Sequence, residues 1–141
     1  MIEGLDFVLC FIKLGQELLM LHRKNPPNQG LWNCVGGHIE KGESPLDACI
    51  REVKEETGLN ITNPKFYGVL SWRGFEIYQG GLYIFGTELP SPMEIQGNAE
   101  GLLKWQPIDW VLTSNEVVDN LRIITPHILN HAAPRLYHFD Y

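Results

Sequence analysis

The sequence predicts a mixed α/β layered domain, and three observations carry that expectation. The first is the continuous apolar run at 7–12, which reads as a strand covered on both faces. The second is a sharply bounded amphipathic helix between Ser44 and Gly58. The third is a series of β-prone segments on both sides of that helix, followed by weaker helical spacing toward residue 133. At 141 residues the chain fits one domain, expected over 1–141. A chain of that size buries roughly 68–70% of its unfolded surface, enough for a core without staples.

The elements follow in order. Gly15 and Gln16 mark a turn after the first strand, and 17–23 returns as its partner. The stretch 25–30 is a loop, because its two prolines and a glycine exclude helix and central strand. A short strand at 31–35 then runs into Gly36 and Gly37. Ser44 suits the N-cap, Pro45 the first helical position, and Asp47 completes a capping-box-like pattern. Leu46, Cys49, Ile50 and Val53 recur at helical spacing, and Gly58 supplies a left-handed stop, so the helix is placed at 45–57. Strands are expected at 65–72 and 81–89 with a turn at 78–81, then a polar loop at 90–101. A short strand at 102–105 ends at Pro107; 115–124 has helical spacing, and 126–133 adds further helical turns.

Charge narrows the function classes. Seventeen acids against eleven bases give −6, which disfavours a nucleic acid polymer as partner, since phosphate-backbone binding needs a basic face. A phosphate-bearing substrate would then need a metal cation to offset repulsion. Cys10, Cys34 and Cys49 form no CxxC pair, so neither a disulfide framework nor a structural zinc site is expected. The acidic first residues do not resemble a signal peptide, and the 7–12 run is too short to span a bilayer. The expectation is a soluble cytoplasmic protein, monomer or homodimer, with no membrane partner.

The chemistry sits on the helix, opposite its apolar face. Glu52, Glu55 and Glu56 stand at i, i+3 and i+4, which gathers three carboxylates on one side. Like charges at that spacing cost a few tenths of a kcal/mol. A hard divalent cation, Mg²⁺ above all with Mn²⁺ as the alternative, would remove the repulsion. The competing reading is a solvated acidic face partly neutralised by Arg51 and Lys54.

The surroundings favour the first reading. From Gly37, five residues lead to Glu43, seven more to Arg51-Glu52-Val53, then Lys54, Glu55-Glu56, Thr57 and Gly58-Leu59. This string resembles the Nudix hydrolase signature Gx5Ex7REUxEExGU, with U aliphatic, at every defined position of 37–59. The resemblance implies a Nudix-type α/β/α sandwich with a mixed central sheet and a loop–helix–loop that binds metal and phosphates. It implies metal-binding roles for Glu52, Glu55 and Glu56, with the Gly36-Gly37 backbone close to metal and phosphates. It pairs Arg51 with Glu43 as the tie between loop and helix. Its chemistry is attack of water on phosphorus, for which Glu55, Glu56 and the downstream Glu100 are candidate general bases, with Glu94 behind them.

The substrate is less legible. Residues 30–37 resemble the matching strand of MutT-type nucleoside triphosphatases, in some of which the counterpart of Asn33 reads a base edge. Alternatively, Asn33 only satisfies neighbouring backbone. Of the large aromatics Trp32, Trp72, Phe75, Tyr78, Tyr83 and Trp105, one or two should line a base pocket, and Trp105 is the first choice by resemblance. His38 either contacts a phosphate or lies on the surface. Gly74 stands where ADP-ribose hydrolases often carry proline. The expected reaction is conversion of a nucleoside triphosphate, such as the oxidised purine nucleotide 8-oxo-dGTP, to monophosphate and pyrophosphate. Hydrolysis of ADP-ribose, nucleotide sugars or dinucleoside polyphosphates is the alternative, and a nucleotide sensor without turnover the rival outside enzymes.

Overall fold

The computed structural model describes residues 5–26, 28–74, 79–95 and 101–141. Strand β1 (Leu5–Leu14) is the central element. Its Val8 to Ile12 stretch is buried throughout, because both faces of the sheet are covered. Val8, Cys10 and Ile12 pack toward helix α1 (Pro45–Thr57), while Leu9 and Phe11 pack into a second core with helices α2 (Ile108–Thr113) and α3 (Leu121–Leu129). The result is the three-layer α/β/α arrangement, and it explains why the run shows no polar alternation.

Strand β2 (Glu17–Arg23) returns antiparallel to β1 across the Gly15 turn. Strands β3 (Trp32–Asn33) and β4 (Val35–His38) part company at Cys34: β3 pairs with β2, and β4 pairs with β1 from Phe7 to Cys10. This fork lays Gly36 directly against the β1 backbone, where a Cβ would overlap the Val8 carbonyl. Strands β5 (Lys65–Arg73) and β6 (Gln79–Glu88) form an antiparallel pair, with β6 parallel to β1. Strand β7 (Gly101–Pro107) pairs with β2, and β8 (Arg135–Asp140) lies parallel to β5 at the sheet edge. The sheet is therefore mixed, as the sequence resemblance implied. Among the described residues no helix is long and apolar enough to cross a membrane.

Helix α1 forms where its caps dictate. Ser44 Oγ accepts from the Asp47 N–H at 3.1 Å, and Gly58 at φ 80° returns its N–H to the Lys54 carbonyl at 2.8 Å. A side-chain N-cap of this kind contributes about 1 kcal/mol. Its buried face is Ala48, Cys49, Val53 and Thr57; Leu46 is 41% exposed, because it lies in the first turn beyond the sheet contact.

Two expectations are corrected and two elements are added. The turn at 78–81 does not form as placed: Gln79, Gly80 and Gly81 belong to β6 and pair with Arg73, Trp72 and Ser71, while Tyr78 lies outside the described residues. Residues 115–124 are not one helix. Val117 instead bridges to Trp32, with Trp32 N–H bonded to the Glu116 carbonyl and Val118 N–H to the Trp32 carbonyl. Helix α3 starts only at Leu121 and carries Pro126 inside it; the bond that proline cannot make falls on the exposed Arg122 turn. Helix α2 and strand β8 were not anticipated. Both are short and take their stability from burial of Ile108 and Val111, and from pairing with β5.

Gly68 marks a bulge in β5 at φ +129°, and a Cβ there would overlap the Arg135 carbonyl of β8. Gly68→Ala is expected to lower stability by about 2 kcal/mol or more in urea unfolding, from strain and loss of the β8 edge.

Candidate functional site

Helix α1 projects Arg51, Glu52, Glu55 and Glu56 toward the β4 turn. Arg51 is the hub. Its Nε and Nη2 donate to the two Glu43 oxygens at 2.7 and 2.9 Å, a bidentate pair. Nη2 also donates to the His38 carbonyl at 2.9 Å, while Nη1 reaches Glu52 at 2.8 Å and Glu55 at 3.3 Å. Glu43 accepts a further bond from the Glu40 N–H at 3.0 Å, so the loop between β4 and α1 is tied to the helix at one carboxylate. The guanidinium beside it, joined by that backbone donor, holds the Glu43 carboxyl down at about 2. The same Glu43 bonds keep Arg51 charged well above its ordinary range.

Glu52 is the enclosed member of the set, with its side chain 14% exposed against 57% for Glu55. Burial pushes its carboxyl pKa upward, against the pull of Arg51, and the neighbouring Glu55 and Glu43 charges add to the rise. The Glu52 carboxylate sits on Gly37, where a Cβ would fall 2.7 Å from its Oε1. Only glycine leaves that space. Glu56 turns inward, with Oε2 shielded from solvent.

Among the described residues no three acidic, histidine or cysteine groups are already gathered into a metal cage. Arg51 Nη1 instead bridges Glu52 and Glu55, a cation taking the charge of two of the three carboxylates. The donor set still fits a divalent ion. It is three hard carboxylates, one of them desolvated against a glycine cradle and another on an exposed side chain with freedom to swing.

Beside this cluster opens a cavity of about 640 Å³ whose wall includes Glu52, Glu56, Gly36, Gly37 and His38. Asn33, Phe7, Leu70, Trp72 and Leu82 line the same space. The His38 side chain is exposed, and its ring lies 4.3 Å from that of Phe7, whose other neighbour is Trp72 at 6.1 Å. Asn33 Oδ1 accepts from the Cys34 N–H at 2.8 Å, a bond to neighbouring backbone, and the residue also lines the cavity.

Trp105 is a correction. It pairs opposite Leu19 in β7 and packs on the α1-side core, away from the cavity lining. Strand alternation placed it on the wrong face of the sheet. Trp72, from β5, stands in the cavity wall instead. Glu100, with Phe75 and Tyr78, lies outside the described residues, and Glu94 is exposed and absent from the cavity lining.

Sequence reading missed the far wall of the cavity, formed by Asn115, Asp119, Asn120, Arg122 and Tyr141. Tyr141 donates to Asp119 Oδ1 at 3.1 Å, and burial together with that carboxylate pushes its phenol up to about 12. The signal was present in the Asp119-Asn120 pair, two turn-favouring residues inside what read as a helix.

Glutamates projected by one helix onto a glycine turn at a cavity wall make the loop–helix–loop that the signature implied. The NUDIX domain family model matches residues 6–127, and the chain belongs to that family, whose hydrolases generally use divalent metal ions. An uncharacterized Nudix hydrolase of Bacillus subtilis, YvcI, is 31% identical over 71% of this chain and 64% of its own length. A putative 8-oxo-dGTP diphosphatase of the same organism is 33% identical over 64% of the chain and 58% of its own length. Shorter matches carry the names NAD-capped RNA hydrolase and ADP-ribose pyrophosphatase, so the relatives agree on no single substrate. The crystal structure of the MutT protein from Bacillus halodurans superposes with a TM-score of 0.79 at 28% identity, covering 96% of this chain and 88% of that one.

The Glu43 tie sets a pH dependence. A carboxyl with its pKa lowered from 4.5 to about 2 contributes stability that is complete above 4.5 and lost as pH falls toward 2. The stability gap between the parent and Glu43→Gln is expected to be flat above pH 4.5 and to shrink below it, read by thermal unfolding across pH.

Proposed function

We propose that the protein is a divalent-metal-dependent pyrophosphohydrolase that cleaves a nucleoside triphosphate, with an oxidised purine nucleotide such as 8-oxo-dGTP as the preferred class. One observation carries the reading: Glu52 and Glu56 of the carboxylate cluster, the glycine turn and an aromatic wall share one cavity. Glu52, Glu55 and Glu56 hold the cation, with Mg²⁺ the ion of choice and the Gly37 backbone beside it. When bound, such an ion neutralises phosphate charge and acidifies an attacking water.

The remaining work falls to this chain's residues. Glu56, which lines the cavity, accepts the water's proton on its carboxylate. Arg51 does not clamp phosphate; its donors are committed to Glu43, His38, Glu52 and Glu55, and it keeps the loop in register with the helix. Gly36 and Gly37 let the phosphate chain approach backbone closely. Trp72 and Phe7 offer the base a stacking wall, and Asn33, in the lining of the same cavity, offers an amide to its polar edge.

Release of pyrophosphate should be followed on a panel of undamaged and oxidised nucleoside triphosphates, ADP-ribose, nucleotide sugars and dinucleoside polyphosphates, with Mg²⁺ or EDTA. Metal-dependent pyrophosphate release from a triphosphate is expected. Glu56→Gln should lower kcat by about 10²-fold or more, within the range for loss of a general base. Cleavage confined to ADP-ribose or sugars would replace the triphosphate reading, and tight binding without turnover would make the protein a sensor.

Trp72→Ala separates the two tryptophans. Loss of one base stack costs about 1–3 kcal/mol, so KM should rise roughly 5- to 150-fold with kcat little changed. Trp105→Ala should instead lower the unfolding midpoint and leave KM near the parent value.

A further inference from the structure

Tyr141, which follows β8, lines the cavity together with Trp72 and Asp119. We propose that Tyr141 is a positioning residue for nucleotide binding: it ties the wall carrying Asp119 and Asn120 to the end of β5 that carries Trp72, and so fixes the site in which the base is held. The inference rests on the reading of this cavity as the nucleotide site, and adds a residue that neither the signature nor the carboxylate cluster points to.

Three observations carry it. The Tyr141 hydroxyl donates to Asp119 Oδ1 at 3.1 Å, while its backbone N–H donates to the Arg73 carbonyl at 2.8 Å, next in sequence to Trp72. One residue thereby bonds to both walls. Gly74 follows at φ 78°, and a Cβ there would overlap the Tyr141 carbonyl, so the end of β5 admits this residue because no side chain stands at 74. The wall itself is bonded to β3 at its start, through Trp32 N–H to the Glu116 carbonyl at 2.8 Å and Val118 N–H to the Trp32 carbonyl at 3.0 Å. Those bonds stop short of the Asp119 side chain, and the Tyr141 hydroxyl holds it instead.

The tie keeps its donor through neutral pH. Burial and the Asp119 carboxylate push the Tyr141 phenol up to about 12, while the Asn120 side chain, hydrogen-bonding to the same hydroxyl, opposes the rise. Tyr141 is therefore protonated wherever a nucleotide would be bound. A carboxylate held by one oxygen has its rotamer set before the ligand arrives, which leaves less ordering to binding. Glu43, Glu52 and Glu55 are held separately by Arg51, so loss of the tie should act on binding and leave the chemical step alone.

The test is Tyr141→Phe in the whole chain, which keeps the ring and the backbone bond to Arg73 and deletes the hydroxyl. The parent, Tyr141→Phe, Asp119→Ala and the double variant are compared by steady-state kinetics with 8-oxo-dGTP, dGTP and ADP-ribose in Mg²⁺. Calorimetric titration of 8-oxo-dGMP, dGMP and AMP, which carry no anhydride to cleave, reads binding apart from turnover. Tyr141→Phe should raise the KM of the cleaved substrate and the Kd of its monophosphate about fivefold, the scale of one hydrogen bond, with kcat unchanged. The double variant should bind no more weakly than Asp119→Ala, because the hydroxyl acts through that carboxylate. Trp105→Ala, which loosens the other core, should leave Kd unchanged, and this separates positioning from stability. An unchanged KM and Kd in Tyr141→Phe, a loss confined to kcat or to the unfolding midpoint, or additive losses in the double variant would each overturn the proposal. So would failure of all three monophosphates to bind the parent saturably. Turnover of ADP-ribose alone, with a raised Kd for AMP in Tyr141→Phe, would replace the triphosphate reading and leave Tyr141 in this role.

Discussion

Arg51 joins three parts of the chain that would otherwise move independently: the loop at Glu43, the strand end at His38 and the helix face at Glu52 and Glu55. A helix that places three carboxylates at i, i+3 and i+4 carries repulsion along its own surface. The guanidinium offsets that repulsion while fixing the loop against the helix, because its planar fork serves several acceptors at once. Lysine, a point charge with rotating donors, would not hold Glu43 bidentately and reach the other carboxylates together. The cavity wall, the glycine turn and the inward direction of Glu56 all depend on this loop remaining where Arg51 puts it.

The glycine turn in turn depends on the sheet. Gly36 lies over the Val8 carbonyl and Gly37 under the Glu52 carboxylate, so the chain passes between strand and helix with no room for a side chain on either residue. Strand β4 holds that path by pairing with β1, while β3 leaves to pair with β2. The fork opens the sheet beside Cys34, and the cavity lies there, lined on one side by β1 and on the other by the 115–122 segment. Thus the position of the cluster and the opening of the cavity have one cause, the divergence of two strands that are continuous in sequence.

Local signals were enough for the first 59 residues and less so afterwards. The α1 boundaries were legible because Ser44, Pro45 and Gly58 act within a turn of where they sit. The β1–β2 hairpin was legible from its turn and its apolar run. By contrast, β8 is a six-residue edge strand of which only Tyr137 and Phe139 are half-buried, and nothing local marks it; it exists because β5 offers an unpaired edge. Helical spacing at Val117, Val118, Leu121 and Ile124 misled for a related reason. The first two are buried by a bridge to Trp32 rather than by a helical stripe, so the same apolar positions satisfied a different geometry.

By itself the sequence determined the acidic helix, its caps, the glycine pair and the family, since each rests on residue types at fixed short spacing. Only the tertiary structure decided which aromatic faces the cavity, because the side of a sheet that a strand residue occupies is set by register with its neighbours. Trp72 and Trp105 both sit in β-prone runs, and pairing alone sends one to the cavity and the other to the α1-side core. It also decided that Asp119, Asn120 and Tyr141, 60 or more residues beyond the helix, stand in the same wall as Gly37. Such contacts are made by chain closure over long separations, and no local preference encodes them.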